Sequence, residues 1–563
     1  MTRHRRARTL AGCVAAIAAA VVLAACSSSG GGGKSSGTSG GSSSGPSGTV
    51  TGFFTSEPYV ADFNPLNPGY VAAVANGMVY EPLMFFDTAE AGNVQPWLAT
   101  GYTWGAGGTS ITFTLRHNVK WTDGQPFTSA DVAYTFNLDK NPTYNSYGLP
   151  VSSVTTNGPY SVTINFTQSV YTDLYYIAGK QMILPEHVFS KISDLTKWTD
   201  PDPVGTGAYI VSKVTPQELT LTANPHYYVP GLPKVKTYIF PVYTTNTTAD
   251  AAIEDGTLGW SGGFIPNINQ TYLARNKNYH LVDIPLAVDY LTPNMVKGPT
   301  TSLALRQAIS DAIDRSYISQ SVYNGYAPPT DPEGLLIPNF KSVASPQAQG
   351  DNFGGADPAA SKQILEKAGY TMGSNGYFTK GGQELTVNVK MVSGYTDYVS
   401  ILQILVPEMK AAGINMTVTQ EAYSVWVSDQ DTGNFQFLLT SAGYTPSPYT
   451  YYYDLLDSAV AKPLGTAETV GNFGRYDNPT IDNLLNTIAG TTSASVQDPA
   501  FYQIESIFKA QMPDIPLMEA QDEVEFNGNM VTNFPTTGNP WAGVATWLNP
   551  DCGWVAARLE PAQ

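Results

Sequence analysis

The stretch Leu115-Arg116-His117-Asn118-Val119-Lys120-Trp121-Thr122-Asp123-Gly124-Gln125-Pro126-Phe127-Thr128-Ser129-Ala130-Asp131-Val132 decides how the chain around it must fold. It continues Ile111-Thr112-Phe113-Thr114-Leu115, where apolar and polar residues alternate with period two, as in a half-buried strand. Asp123-Gly124 then supplies a tight turn. A hydroxyl from Ser129 or Thr128 is placed to cap a helix that runs on through 131–138. Strand, turn and capped helix in direct succession predict mixed α/β structure, and Val162-Thr163-Ile164-Asn165-Phe166 repeats the alternation downstream.

Further strands are predicted at 218–223 and 235–242, separated by Pro and Gly turns. In 303–324, Leu305, Ala308, Ile309, Ala312, Ile313 and Tyr317 recur at three- and four-residue spacing, which predicts one helix with one buried face and Gly325 at its end. Residues 384–423 read as a βαβ unit: strand 385–391, helix 398–412 with a kink at Pro407, strand 414–420. A strand at 435–440 would join the same sheet. In open parallel sheets ligands sit beyond the C-terminal strand ends, which points at 441–453. Asn478-Pro479 and Asp498-Pro499 open helices 480–489 and 500–511, each with Pro at its first position.

At the N-terminus, Arg3, Arg5, Arg6 and Arg8 precede an apolar run over 10–25. That run is shorter than the roughly 20 residues that span a bilayer and has the form of a secretory signal peptide, 1–25. It ends Leu23-Ala24-Ala25-Cys26, which resembles a bacterial lipobox. The resemblance implies that Cys26 becomes the acylated N-terminus, so that the chain is held to the membrane by lipid. An ordinary cleavage site or an uncleaved anchor is the alternative. The Ser-, Gly- and Thr-rich segment that fills the rest of 26–48 favours the lipid, because it has no apolar surface to bury and reads as a tether. With Cys13 in the leader and Cys26 modified, Cys552 alone remains of three cysteines and no internal disulfide can form. Removing the four arginines leaves 25 of 29 basic residues against 46 acidic, a net charge near -21. Nucleic acid is a poor partner for such a chain.

Patterns for catalysis are missing. His117, His187, His226 and His280 lie far apart, so no metal or cofactor is expected. Gly41-Ser42-Ser43-Ser44-Gly45 matches a nucleophile-elbow text but sits in the tether, without a strand or helix beside it. The carboxylate pairs Asp311/Asp314 and Asp522/Glu523 read as solvated faces of an acidic chain rather than as acid/base dyads. No enzyme is expected; a lipid-anchored hydrolase and a ligand-sensing module without a permease are the rival functions.

The Leu115–Val132 stretch resembles the signature of family 5 solute-binding proteins, the oligopeptide and dipeptide type. Pro203-Val204-Gly205-Thr206-Gly207-Ala208-Tyr209, and Leu305-Arg306-Gln307-Ala308-Ile309-Ser310 with Ala312-Ile313-Asp314-Arg315, follow in the family's order. The resemblance implies a two-lobed α/β periplasmic-binding-protein fold of type II, with an extra subdomain in the first lobe. Lobe 1 would cover 49–286, with the subdomain at about 81–202, lobe 2 would cover 287–511, and 512–563 would return to lobe 1. Crossings would fall near 284–290 and 512–519. The implied role is capture of a small solute between the lobes and delivery to an ABC permease, by a monomer on the outer face of the membrane. Peptides are the first ligand reading, oligosaccharides the second.

Peptide binders of this family often carry an Ala-Asp-Tyr segment whose carboxylate holds the peptide ammonium; the matching text here is Ala442-Gly443-Tyr444, without the acid. Tyr444, Tyr449 and Tyr451, with Tyr452 and Tyr453, are candidate ligand contacts, as is Trp260 after Gly259. Aromatic faces suit sugar rings and apolar peptide side chains alike. The other reading of the tyrosines is a packed strand–helix junction, and that of Trp260 is packing between lobes. Phe54 and Tyr59, with Phe63, floor the cleft or serve the core. Asn294 donates to ligand or, the preferred reading, ties the crossing strand.

Overall fold

The computed structural model describes residues 45–55, 57–67, 73–467 and 471–563. Cys26 and most of the tether lie outside them. The opening stretch folds as its local chemistry dictates. Ser110–Leu115 pairs antiparallel with Ala99–Trp104 on one side and Ser161–Phe166 on the other, and Val151–Thr156 completes a four-stranded sheet. Gly124 takes φ +89° in the turn, a conformation glycine adopts without steric cost. Thr128 is the helix cap: its hydroxyl accepts from Ala130 N at 3.2 Å, and the Asp131 carboxylate accepts from Thr128 N at 2.9 Å. This capping box starts the helix Ser129–Leu138. In a second four-stranded sheet, Ser47–Thr51 runs parallel to Val235–Pro241, followed by Glu218–Ala223 and Tyr209–Thr215 in antiparallel order.

The βαβ unit is present: Thr386–Val392 pairs in parallel with Asn415–Glu421, and the helix Thr396–Ala411 connects them with Pro407 inside it. Phe437–Gly443 joins the other edge of Thr386–Val392, also in parallel. The sheet is mixed rather than open parallel, because Tyr279–Pro293 runs antiparallel to both its neighbours, Phe437–Gly443 and Ile515–Asn527.

The single helix expected over 303–324 is two, Leu303–Asp311 and Arg315–Tyr323. Asp314 leaves the helical conformation and caps the second by accepting from Tyr317 N at 2.9 Å. The restart turns Tyr317 away from the core, to 56% exposure. Asn324 holds the left-handed cap position, one residue before Gly325. Buried Arg306 donates to the carbonyls of Thr300, Gln511 and Met512, and buried Arg315 to those of Ser310 and Pro516. The two guanidiniums thereby pin the backbone where Ile515–Asn527 begins. The helix expected from Pro499 starts earlier, at Ala494, and carries Pro499 inside it.

Apolar side chains gather in separate cores. One draws on 50–286 and 524–559; two adjoining cores draw, apart from Phe264, on 288–518. The pair Tyr279–Pro293 and Ile515–Asn527 belongs to both sides. Val282, Ile284 and Leu286 pack in the first core, whereas Val288, Tyr290 and Leu291 pack in the others. The returning strand leaves after Met518 and enters the first core at Val524. Register shifts between Pro285 and Ala287 and between Val288 and Tyr290 mark the same place, as bulges do where a strand bends. No helix among the described residues is long and apolar enough to cross a membrane.

Candidate functional site

The C-terminal end of Phe437–Gly443 opens into a cavity of about 180 Å³ lined by Thr292, Thr440 to Tyr444, Asp454, Leu455, Gly471 to Phe473 and Asp514. This is the segment that the strand-end argument singled out. Gly443 sits at φ +138°, and a Cβ there would come within 2.7 Å of Ala287 Cα and 2.8 Å of the Leu286 carbonyl. The strand tip is pressed against the crossing strand, so the carboxylate of an Ala-Asp-Tyr segment has no room on this backbone. Deeper in the cavity, Thr292 Oγ1 donates to Asp514 Oδ1 at 2.6 Å. Burial pushes the Asp514 carboxyl up to about 6 against the opposing pull of Thr292 and Arg306.

Where the chain changes cores, acidic side chains collect. Asp289 accepts from the Tyr398 hydroxyl at 3.0 Å, and burial, with the nearby Asp397 charge, pushes its carboxyl up to about 8. Asp397 stands in the first turn of Thr396–Ala411. On the returning strand Glu523 and Glu525 are two residues apart and so share a face. Glu525 is 1% exposed and its Oε2 accepts from Ser261 Oγ at 2.6 Å. Burial pushes Glu525 up to about 8 and holds Glu523 well above the usual carboxylate range, with Glu525, Asp397 and Asp283 adding like charge. The reading of Asp522 and Glu523 as a solvated face is therefore wrong. Asp522 is buried, its Oδ2 accepting from Val544 N at 2.7 Å and Ala545 N at 3.0 Å, and Glu523 is half-buried against the Tyr326 hydroxyl. Asp289, Asp397, Tyr398 and Trp547 escaped the sequence reading. One signal was present: Asp289 interrupts the apolar run from Ile284 to Leu291.

The residues singled out from sequence separate into two groups. Tyr444 is half-buried at the change of cores, its hydroxyl 3.2 Å from Ser441 Oγ and its ring edge-on to Trp547 with centroids 5.2 Å apart. Trp547, 37% exposed, comes from the segment packed on the first core, so the two rings bridge the sides. Tyr449 stacks on Tyr453 at 5.7 Å and faces Asp173 from the first side. Phe54 lies parallel to Tyr59 at 6.5 Å against the first core. The others have no surface to offer. Trp260 is fully buried, donating from Nε1 to the Val544 carbonyl at 2.8 Å and stacked on Phe526. Tyr451 is 1% exposed and its hydroxyl is held by Tyr290 and Gly334. Tyr59 is buried in the first core. Asn294 donates to Gly433 O and Phe435 O at 3.0 and 3.2 Å and accepts from Val296 N and Lys297 N. All its hydrogen-bonding capacity goes to tying the crossing strand.

The chain is similar to a nickel-binding periplasmic protein of Escherichia coli, 24% identical over 501 residues that cover 86% of this chain and 91% of that protein. A glutathione-binding protein of Salmonella choleraesuis is 25% identical over 515 residues, covering 89% and 91%. Among solved structures, the mannohexaose-bound periplasmic oligopeptide-binding protein of an oligopeptide ABC transporter from Thermotoga maritima superposes with a TM-score of 0.80 at 22% identity, covering 91% of this chain and 98% of that one. The fold is thus the two-lobed α/β fold of periplasmic binding proteins. Residues 93–462 match the model of the bacterial extracellular solute-binding proteins, family 5, middle region, and the chain belongs to that family.

Proposed function

We propose that this protein captures a peptide between its two lobes outside the cytoplasm and delivers it to the permease of an ABC importer. The family consists of transport binding proteins, not enzymes. The observation that carries the reading is the strand pair Tyr279–Pro293 and Ile515–Asn527, which passes from one core to the other beside the buried acids Asp289 and Glu525 and the Tyr444–Trp547 pair. Polar groups converging between two packed bodies are what a solute site requires. The lobes are 49–286 with its subdomain at about 81–202, and 287–511, with 512–563 returning. The change of core at 286–288 and 518–524 supports this division. The protein acts as a monomer, tethered by lipid on Cys26.

Peptide capture draws support from the glutathione-binding relative. An oligosaccharide is the second reading, favoured by the crossed Tyr444 and Trp547 rings and by the mannohexaose-bound neighbour. A thermal-shift screen of the stripped protein against matched peptides and oligosaccharides separates the two. Solute at 100 times its Kd adds about 2.7 kcal/mol of stability. A shift with oligosaccharides alone rejects the peptide reading, and a shift with neither rejects both.

A further inference from the structure

The cavity at the end of Phe437–Gly443 holds chemistry that capture alone does not require. Its volume, about 180 Å³, lies below the roughly 300 Å³ at which sites for drug-sized ligands begin, and near the ~150 Å³ of a cavity that admits benzene. It has room for one six-membered ring or one side chain, not for a whole oligomer. Five pieces of chain build it. Thr292 and Thr440 lie on one face of the sheet, because Thr292 pairs with Leu438 and residues two apart on a strand share a face. Asp454 and Leu455 come from the helix Pro448–Leu456, Phe473 from the loop that follows it, and Asp514 from the residue before Ile515–Asn527.

The floor of the cavity is acidic and incompletely bonded. Asp514 is 5% exposed and Thr292 4%. Among the described residues, the Asp514 side chain accepts one hydrogen bond, at Oδ1 from Thr292 Oγ1 at 2.6 Å. A carboxylate can accept several, so most of that capacity is left to whatever enters. Its charge, by contrast, is already countered. Buried Arg306 pulls on it while donating its own N–H groups to the carbonyls of Thr300, Gln511 and Met512. What the floor lacks is therefore a hydrogen-bond donor rather than a cation, and a hydroxyl supplies one without adding charge. Thr440 adds a hydroxyl-bearing wall, and Leu455 and Phe473 add apolar ones that suit the faces of a ring. Tyr444 both lines the cavity and meets Trp547 edge-on, which ties the cavity to the change of cores.

Resting on the solute-capture reading above, we propose that Thr292, Thr440 and Asp514 form a side pocket for one hydroxyl-bearing group of the solute, no larger than a single six-membered ring, with the hydroxyl donating to Asp514. The tyrosine side chain of a peptide and the end ring of an oligosaccharide both carry that chemistry. The pocket sets selectivity at one position of the solute, while the remainder of the solute lies between the two cores.

The test is isothermal titration of the purified protein with trityrosine, triphenylalanine, trilysine and mannotriose. If the hydroxyl comes from a peptide, trityrosine should bind about ten- to a hundredfold tighter than triphenylalanine, the usual weight of a hydrogen bond to a charged group. If it comes from a sugar, mannotriose should bind and the peptides should not. Asp514→Asn keeps an acceptor for Thr292 but loses the charge, and Ala442→Leu fills the cavity from its wall. Each should weaken the hydroxyl-bearing probe by about tenfold or more, and a thermal melt confirms the fold of each. Equal affinity for trityrosine and triphenylalanine with no binding of mannotriose overturns the pocket and leaves solute capture intact. A preference for trilysine over all the others does the same, as does hydroxyl-probe affinity that survives both substitutions. Binding of none of the four probes overturns the pocket and the capture reading together.

Discussion

The helix-start region around Asp123 and Thr128 and the crossing region around Asp289 and Glu523 are equally rich in polar side chains but treat them in opposite ways. Near the helix start every acid has local work: Asp131 accepts from Thr128 N and Glu186 N, and Asp123 accepts from Gln125 N and meets His187 at 2.7 Å. At the crossing, Asp289 and Glu525 are buried with no cation beside them, and their burial raises both carboxyls to about 8. The first region spends its polar groups on holding one conformation. The second buries them where the chain passes between two cores, at some cost in stability.

Four measurements test that contrast. The largest effect belongs to the helix-start region: Trp121, buried edge-on to Phe127, should cost about 3–5 kcal/mol when replaced by Ala. Denaturant titration should show that loss while solute affinity holds. Next is Gly443→Asp. Restoring the acid of the peptide-binder motif should destabilise the protein by about 1–3 kcal/mol and weaken solute binding, because the left-handed backbone and Ala287 leave no place for a side chain. Tighter peptide binding in that variant would refute the geometry.

The third concerns pH. The Asp289 and Glu525 carboxyls are raised from 3.8 and 4.5 to about 8 in the folded protein. The folded chain thus holds protons that the unfolded chain releases above roughly pH 4. The stabilisation is complete below that value and is lost as pH rises to 8, by up to about 1.4 kcal/mol per pH unit for each group. Thermal melts from pH 5 to 9 should fall accordingly, and Asp289→Asn should flatten the slope. The smallest effect is Thr128→Ala, which removes the capping hydroxyl and should cost about 1 kcal/mol without touching binding.

What could be read in advance follows the range of the interactions involved. The cap at Thr128, the turn at Gly124 and the βαβ unit all rest on neighbours close in sequence, and all were legible. The break at Asp314 was not. Periodicity carried one apolar face across it, while the capping contact to Tyr317 competed for the same residue. Asp522 and Glu523 were misread because two adjacent acids look solvated until the strand bearing them is known to pass between two cores. Trp260 and Tyr451 drew notice as aromatic candidates, but the hydrogen bonds to Val544 and Gly334 that mark them as buried struts span hundreds of residues and at least a hundred, respectively.

The α/β class, most local elements and the family are legible in the chain because each is written in short-range patterns of hydrophobicity, capping and turn chemistry. Which acids and which aromatics are buried, and why position 443 must be glycine, emerge with the assembled fold. Those outcomes depend on which distant segments the two crossing strands bring together, and solvation and steric room are properties of that assembly rather than of any residue alone.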